Sequence, residues 1–263
     1  MTEQRSSAPG ADTMDLEDYL AQGGMLTAPG NVPPRYRGEL LRLMASFVDS
    51  ELAGSAGFAD TINDAPGIKP RIAAARIVLE KVDHADRVLR VMATFGVDTA
   101  RYAVHHPWAE RMARDASIGQ VRHGGDMRLS VFHYPLHGWA DAVVMNVLMG
   151  LATDVQLGEL GRVSYQPLAE VFREIAPREA RHTVLGVEGL TDIVAGDSGR
   201  GQAAAAIAYW RPRVAASFGT SGSDRFEMLA RLGLRHRRNE ELQADWNSRV
   251  DRQLDELGLG TVA

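Results

Sequence analysis

Apolar residues recur every three to four positions along most of the chain from Pro34 onward, which is the periodicity of amphipathic helices. We find no long alternating segment with a hairpin signal, so strands are not expected. Gly54 and Gly57 are expected to end the first long helix. The pattern predicts an all-α fold, with long helices at about Pro34–Ala53, Pro70–Phe95, Leu136–Val163 and Tyr165–Leu190 and further helices near Asp98–Ala116, Arg200–Phe218 and Asp224–Leu257.

The domain organisation follows from the same pattern. Residues 1–30 are polar and rich in Ser, Ala, Gly and Pro, which predicts a mobile N-terminal segment. Residues 31–263 are expected to form one helical domain. The connection at about residues 97–135 is longer than an ordinary loop between neighbouring helices, which indicates a crossover or a lid over a site.

Composition excludes several classes of function. The formal net charge is -5 and basic residues are scattered, which argues against nucleic-acid binding. The chain has no cysteine, so disulfides, thiolate zinc sites, iron–sulfur clusters and cysteine nucleophiles are excluded. No apolar run approaches the roughly 20 residues that span a bilayer, and no apolar signal core begins the chain. We therefore expect a cytoplasmic protein that does not enter the membrane.

The candidate chemistry lies in acidic and histidine side chains on separate helices. Glu179 and His182 are three residues apart, so they share one face of a helix and can bind one metal ion together. Glu51, His84 and Asp141 lie on three other predicted helices. Dinuclear carboxylate bundles build their metal sites from such a set, with acids from two helices and Glu-x-x-His units from the other two.

Over about residues 35–220 the chain resembles the oxygenase-subunit family of phenylacetyl-CoA epoxidase, a branch of the ferritin-like superfamily. The resemblance implies a ferritin-like four-helix bundle with accessory helices, and metal ligands at Glu51, His84, Asp141, Glu179 and His182. It also implies a dinuclear non-haem iron oxygenase that uses O2 and an external reductase to insert oxygen into a small organic or acyl-thioester substrate. The segments that carry it are Ser50–Gly54, Lys81–His84, Phe132–Pro135, Trp139–Asp141, Ser164–Tyr165 with Pro167, and Glu179–His182.

The chain departs from the family pattern at Lys81, where the family has a glutamate three residues before the first histidine. An ammonium group cannot bind a metal, and its charge repels a nearby cation. In one alternative, Glu80 replaces the missing ligand and the dinuclear site survives in altered geometry. In the other, Lys81 takes the place of one cation and pairs with Glu51 or a neighbouring carboxylate. The pocket then holds one metal or none.

Three functions remain open from the sequence. The first is the dinuclear oxygenase. The second is a metal-poor enzyme that performs a non-redox step on a small molecule, with Lys81 as general base or electrostatic anchor. The third is a non-catalytic partner in an oxygenase complex. In the two enzyme hypotheses, Tyr165 could donate a hydrogen bond to a ligand. A homo-oligomer or hetero-oligomer is expected.

Overall fold

The computed structural model describes residues 15–117 and 125–260. In these ranges the chain forms nine α-helices, and its β pairing is confined to one isolated bridge. The predicted all-α fold is therefore confirmed. The helices are α1 Leu16–Ala21, α2 Pro34–Thr61, α3 Ile68–Ala93, α4 Thr99–His105, α5 Trp139–Leu160, α6 Gln166–Val194, α7 Gly199–Ala216, α8 Arg225–Arg231 and α9 Asn239–Glu256.

Helices α2, α3, α5 and α6 form a ferritin-like four-helix core. Helix α2 packs along α3, α5 packs along α6, and α3 also contacts α6. Helices α5 and α6 run antiparallel, because Gly150 of α5 faces Thr183 of α6 whereas Val143 faces Gly189. The long connection between α3 and α5 carries α4 and a short 3-10 turn, and it corresponds to the crossover of ferritin-like bundles.

Helix α5 is the central apolar helix of the bundle. Besides α6, it packs against α7 and α9, whose Trp210 and Trp246 are fully buried. The indole nitrogen of Trp246 donates to the Leu148 carbonyl at 2.9 Å. Helix α5 is long and apolar enough to cross a membrane by length and composition, but 72% of its most apolar window is buried. A core helix passes the same test, and the expected cytoplasmic location stays a prediction.

The prediction that Gly54 and Gly57 end the first helix is wrong, because α2 continues to Thr61. Both glycines lie where another part of the chain comes close. A Cβ at Gly54 would lie 3.1 Å from the Phe132 ring, and one at Gly57 would lie 3.3 Å from the Arg111 guanidinium. These glycines therefore serve packing, and the tertiary contacts outweigh their low helix propensity.

The prediction of one helix over Asp224–Leu257 is also wrong, because α8 and α9 are separate. Gly233 lies just after α8 with a φ of +61°, a left-handed conformation that favours glycine. The amide nitrogen of Leu234 donates back to the Leu229 carbonyl at 2.9 Å, which closes the end of α8. The chain then turns before α9 begins.

The described part of the N-terminal segment lies against the bundle. Asp15 caps α1 through its side chain, and Leu20 in that helix is buried. The amide nitrogen of Leu26 donates to the Ser164 carbonyl at 2.8 Å, which holds this segment at the start of α6. Residues 1–14 of the expected mobile segment lie outside the described residues.

Replacement of Gly54 by valine tests the close packing of α2. We expect Gly54→Val to lower the free energy of unfolding by about 1–3 kcal/mol, because its side chain must displace Phe132 and the stem of Lys81. Gly38→Val is the matched control on the same helix, since nothing lies within 4 Å of a Cβ at Gly38. Urea unfolding of both variants measures the difference, and equal stabilities would contradict the packing role.

Candidate metal centre

Three helices of the core bring acidic, basic and histidine side chains together in the interior. Glu51 comes from α2, Lys81 and His84 come from α3, and Glu179 and His182 come from α6. All five residues are buried, and Lys81 is the most exposed of them at 7%. The three-residue spacing on α3 and on α6 points both members of each pair toward the same chamber. We call these five residues the interior cluster.

The ammonium group of Lys81 lies between the two carboxylates of the interior cluster. Its Nζ atom is 3.1 Å from Glu51 Oε1 and 3.1 Å from both Glu179 Oε1 and Oε2. Gly54 lets its aliphatic stem pass, because a Cβ there would lie 3.6 Å from Lys81 Cδ. One ammonium therefore joins α2, α3 and α6 through charge-assisted hydrogen bonds.

Both histidines face the same carboxylates through Nδ1. His84 Nδ1 lies 3.2 Å from Glu51 Oε2 and 3.0 Å from Glu179 Oε1. His182 Nδ1 lies 3.2 Å from Glu179 Oε1. The two rings stack with centroids 5.8 Å apart. The Nε2 atom of His84 is buried and has no hydrogen-bond partner among the described residues.

The pKa shifts follow from the two buried negative charges. Burial alone would lower the pKa of Lys81, but the charges of Glu179 and Glu51 raise it above its ordinary value. Burial would raise the pKa of Glu179, but Lys81 together with both histidines holds it well below its usual range. For His84, burial alone would lower the pKa, but hydrogen bonds with Glu179 and Glu51 outweigh it and raise the pKa. The cluster is therefore a charged network at neutral pH.

Glu80 lies at the edge of the interior cluster. Its Oε2 atom is 2.9 Å from Nε2 of His182, the ring nitrogen that faces away from Glu179, and its side chain is 21% exposed. A carboxylate beside the second ring nitrogen of a histidine fixes the orientation of the imidazole. The structure thus places Glu80 as a support for His182, whereas the sequence predicts it as a direct metal ligand.

Asp141 does not join the interior cluster. Arg114 donates to both of its oxygens, at 2.7 and 2.6 Å, and the Trp210 indole and the His137 amide each donate at 2.9 Å. Its place in the first turn of α5 explains the separation. Gly150 is the residue of α5 that faces Thr183, beside His182, and Asp141 lies nine residues before it, or about 14 Å along the axis.

No other carboxylate of helix α5 takes the place of Asp141 beside the interior cluster. Its sequence has no acidic residue between Asp141 and Asp154. Asp154 has a side chain that is 43% exposed and pairs with Arg249 of α9. The fourth helix of the core therefore brings no carboxylate to the interior cluster.

Tyr165 lies just before the first residue of α6, whereas Glu179 and His182 lie near the middle of that helix. It caps the start of that helix, and its ring packs against Phe95 with centroids 5.4 Å apart. About four helical turns, or roughly 20 Å, separate it from Glu179. The structure therefore gives Tyr165 a packing position and does not bring it to the interior cluster.

A dinuclear iron centre does not fit these residues. Lys81 Nζ occupies the space between Glu51 and Glu179, where a cation would have to bind. The α3 position where the family has a glutamate holds Lys81 here, and the carboxylate of Asp141 on α5 is held by Arg114 away from the interior cluster. Two metal ions beside a protonated lysine would add strong repulsion in a buried site. Glu51, His84 and Glu179 do keep ligand atoms within 4.8 Å of one another.

A cavity of about 430 Å³ borders the interior cluster at Glu51. Phe47, Phe132 and Met149 line its apolar part, and Arg235 lines a polar part. The volume falls in the range of small-molecule sites. Asp141 does not line this cavity and lines a separate groove.

Sequence reasoning missed the groups that hold these side chains in place. Arg114 and Trp210, the partners of Asp141, lie far from it along the chain and follow no spacing rule. Asn146 was missed as well; its amide donates to the His182 carbonyl at 2.9 Å. An asparagine on the apolar face of α5 was the available signal, because a buried amide needs a partner.

Replacement of Lys81 by methionine tests the ion pairs of the interior cluster. We expect Lys81→Met to lower the free energy of unfolding by about 3–5 kcal/mol, because Glu51 and Glu179 lose their buried counter-charge. The chain has one other lysine, the exposed Lys69 on the same helix, and Lys69→Met should change stability by about 0.5 kcal/mol or less. Denaturant unfolding at neutral pH measures both. A loss below about 1 kcal/mol for Lys81→Met would contradict the network.

Comparisons with known proteins agree with the resemblance. The family model described as "Phenylacetic acid catabolic protein" matches residues 17–261. The chain is also similar to one of the subunits of 1,2-phenylacetyl-CoA epoxidase from Escherichia coli (strain K12). The two are 24% identical over 248 residues, which cover 93% of this chain and 75% of the relative. Since the family model spans almost the whole chain, the protein belongs to the phenylacetic acid catabolic protein family.

Proposed function

We propose that the chain is a subunit of a phenylacetyl-CoA epoxidase-type oxygenase complex, in which Lys81 replaces the metal pair of the bundle interior. The observation that carries the proposal is the position of Lys81 Nζ, 3.1 Å from carboxylate oxygens of both Glu51 and Glu179. The similarity to a subunit of the Escherichia coli epoxidase supports the proposal that the complex is of this type. In this role the interior cluster stabilises the bundle and does not activate O2.

Charge balance supports a metal-free interior. Glu51 and Glu179 bring two negative charges, and the Lys81 ammonium neutralises one of them. Hydrogen bonds with Glu179 and Glu51 outweigh burial and raise the pKa of His84, so these carboxylates also stabilise a positive charge on its ring. No further cation is needed to keep these carboxylates ionised. A divalent ion would have to displace the ammonium group.

The geometry counts against Lys81 as the general base of a non-redox enzyme. A catalytic lysine needs a pKa lowered toward neutrality so that it can accept a proton. The pKa of Lys81 is raised, and its donors are already directed at Glu51 and Glu179. We expect a small organic ligand to bind instead in the cavity beside Glu51.

An exposed apolar face on α3 supports assembly with other subunits. Four of the seven large hydrophobic side chains exposed in the described ranges lie on this helix, Ile68, Ile72, Leu79 and Val82, and they are 44–79% exposed. Together with the exposed Ala75 they follow the alternating four- and three-residue spacing of a coiled-coil seam. We call these five residues the α3 seam. Such a face is typical of helices that pack against another protein.

A dinuclear iron oxygenase remains the second candidate. It is favoured by the meeting of Glu51, His84, Glu179 and His182 in one chamber and by the similarity to the Escherichia coli epoxidase protein. It requires that Lys81 leave the carboxylates and that a ligand come from elsewhere. The two candidates differ in iron content, so a direct measurement separates them.

Iron binding tests the proposal. Protein reconstituted anaerobically with Fe(II) should not hold two irons per chain, because the ammonium of Lys81 occupies the carboxylate pair. Lys81→Glu should also fail to reach two, since α5 brings no carboxylate to this level. Iron analysis and Mössbauer spectroscopy measure the content and the nuclearity. Two coupled irons per wild-type chain would overturn the proposal in favour of the oxygenase.

A charge in the α3 seam tests assembly. Leu79→Glu should weaken binding to the companion subunits of the complex at least about ten-fold, because a carboxylate would be buried in an apolar contact. Val104→Glu is the matched control, since Val104 is exposed on α4 outside the seam. Light scattering and co-purification of the co-expressed subunits measure complex formation. Equal assembly of Leu79→Glu and Val104→Glu would show that the seam is not the contact.

A further inference from the structure

A second buried group of potential metal ligands lies outside the interior cluster. Asp49 belongs to α2, His106 follows α4, and Asp126 lies in the segment before the Ser130–His133 turn. Their side chains are 0%, 6% and 4% exposed. Asp49 is two residues before Glu51, which places it about 200° around α2 and thus on nearly the opposite face. The two groups are therefore separate sites.

The imidazole of His106 lies close to both carboxylates without donating to either. His106 Nε2 is 3.0 Å from Asp49 Oδ2 and 3.3 Å from Asp126 Oδ1. Yet neither ring nitrogen of His106 makes a hydrogen bond within the part of the chain that the structure describes, although both are buried. An imidazole that formed an ion pair would be expected to point an N–H at an oxygen.

These distances match the edges of a coordination shell. Ligand atoms bound at about 2.0–2.2 Å to one tetrahedral or octahedral cation lie about 3.0–3.5 Å from one another. The three candidate ligand atoms all lie within 4.8 Å of one another. One imidazole nitrogen and two carboxylate oxygens are a donor set suited to divalent transition ions such as Zn²⁺, Mn²⁺ or Fe²⁺.

The surroundings of the three side chains fix them in this arrangement. Asp49 accepts hydrogen bonds from the Tyr102 hydroxyl and, at 2.7 Å, from the Met127 amide. The His106 ring stacks between Tyr102 and Trp108, at centroid distances of 6.2 and 6.0 Å. Such outer contacts orient metal ligands and raise metal affinity.

Arg128 holds Asp126, the third candidate ligand, in place. It donates to Asp126 from its amide at 3.0 Å and from Nε at 2.8 Å. Burial raises the pKa of Asp126, but the hydrogen bond from the Arg128 amide and the charges of Arg128, His106 and His133 outweigh burial and lower the pKa. The Asp126 carboxylate is therefore ionised, as a metal ligand has to be.

We propose that Asp49, His106 and Asp126 bind one divalent transition ion that joins helix α2 to the segment between α4 and α5. Nearby, the Leu129 amide donates to the Ser50 hydroxyl at 3.0 Å, so the same segment is tied to α2 at two points. Phe132, which covers Gly54 beside Lys81, follows directly in this segment. The ion would therefore be structural and would help to hold the cover of the interior cluster.

Zinc titration of the full chain tests this site. Protein stripped with a chelator should bind one Zn²⁺ per chain, and the bound form should show a higher Tm. His106→Phe keeps an aromatic ring in the stack and Asp126→Asn keeps the shape, and each should weaken binding at least about ten-fold. His137→Gln, at an exposed histidine, should bind as the wild type does. Circular dichroism checks that each variant is folded.

The outcomes separate this site from the interior cluster. Failure of the wild-type chain to bind Zn²⁺ or to gain stability from it would overturn the proposed site, and the interpretation of Lys81 would stand. Binding that persists in both His106→Phe and Asp126→Asn would also overturn it. If that binding were lost in His84→Asn, the ion would lie in the interior cluster, which would contradict the proposed function as well. Should His106→Phe fail to fold, Asp126→Asn and the Tm shift decide.

Discussion

The buried ion pairs of Lys81 are the interaction on which the interior of this bundle depends. Two carboxylates from different helices, Glu51 and Glu179, are removed from water and would repel each other without a cation between them. The ammonium group of Lys81 supplies that cation from a third helix. Removal of Lys81 would leave the two buried carboxylates with only the histidines as partners, so the residues are interdependent.

This constraint also explains the arrangement around the cluster. Gly54 has no side chain because the stem of Lys81 and the Phe132 ring need its space. Glu80 contacts Nε2 of His182 and thereby orients the ring so that Nδ1 faces Glu179. Helix α5 meets the part of α6 around His182 with Gly150 and Asn146, neither of which carries a charge. A cluster neutralised by its own side chains fits a protein that contributes a stable bundle to a larger complex.

Helical periodicity predicted the long helices, and three-residue spacing placed Glu179 and His182 on one helix face. The family resemblance implied that Glu51 and His84 lie beside them, and the structure brings these four side chains together. It also identified Lys81 as a possible substitute for a cation. The position of Asp141 could not be read from the sequence, since the register between α5 and α6 depends on which small residues meet, such as Gly150 and Thr183.

The continuation of α2 through Gly54 and the break at Gly233 depend on tertiary contacts that no local pattern reports. Glycine is compatible with both outcomes, a close helix contact and a left-handed turn. The network of Asp49, His106 and Asp126 was missed for a related reason. Its members are spread over a long connection, and no motif spacing joins them.

The most direct test of the account is the protonation state of Lys81, observed by NMR of protein with carbon-13-labelled lysine. The chain has two lysines, so a Lys69→Arg variant assigns both signals. Lys81 should stay protonated beyond the ordinary lysine pKa of about 10.4, and its signal should not respond to Fe(II). Titration of Lys81 below the ordinary lysine pKa, or displacement of its signal by added iron, would contradict the replacement of the metal pair by an ammonium group.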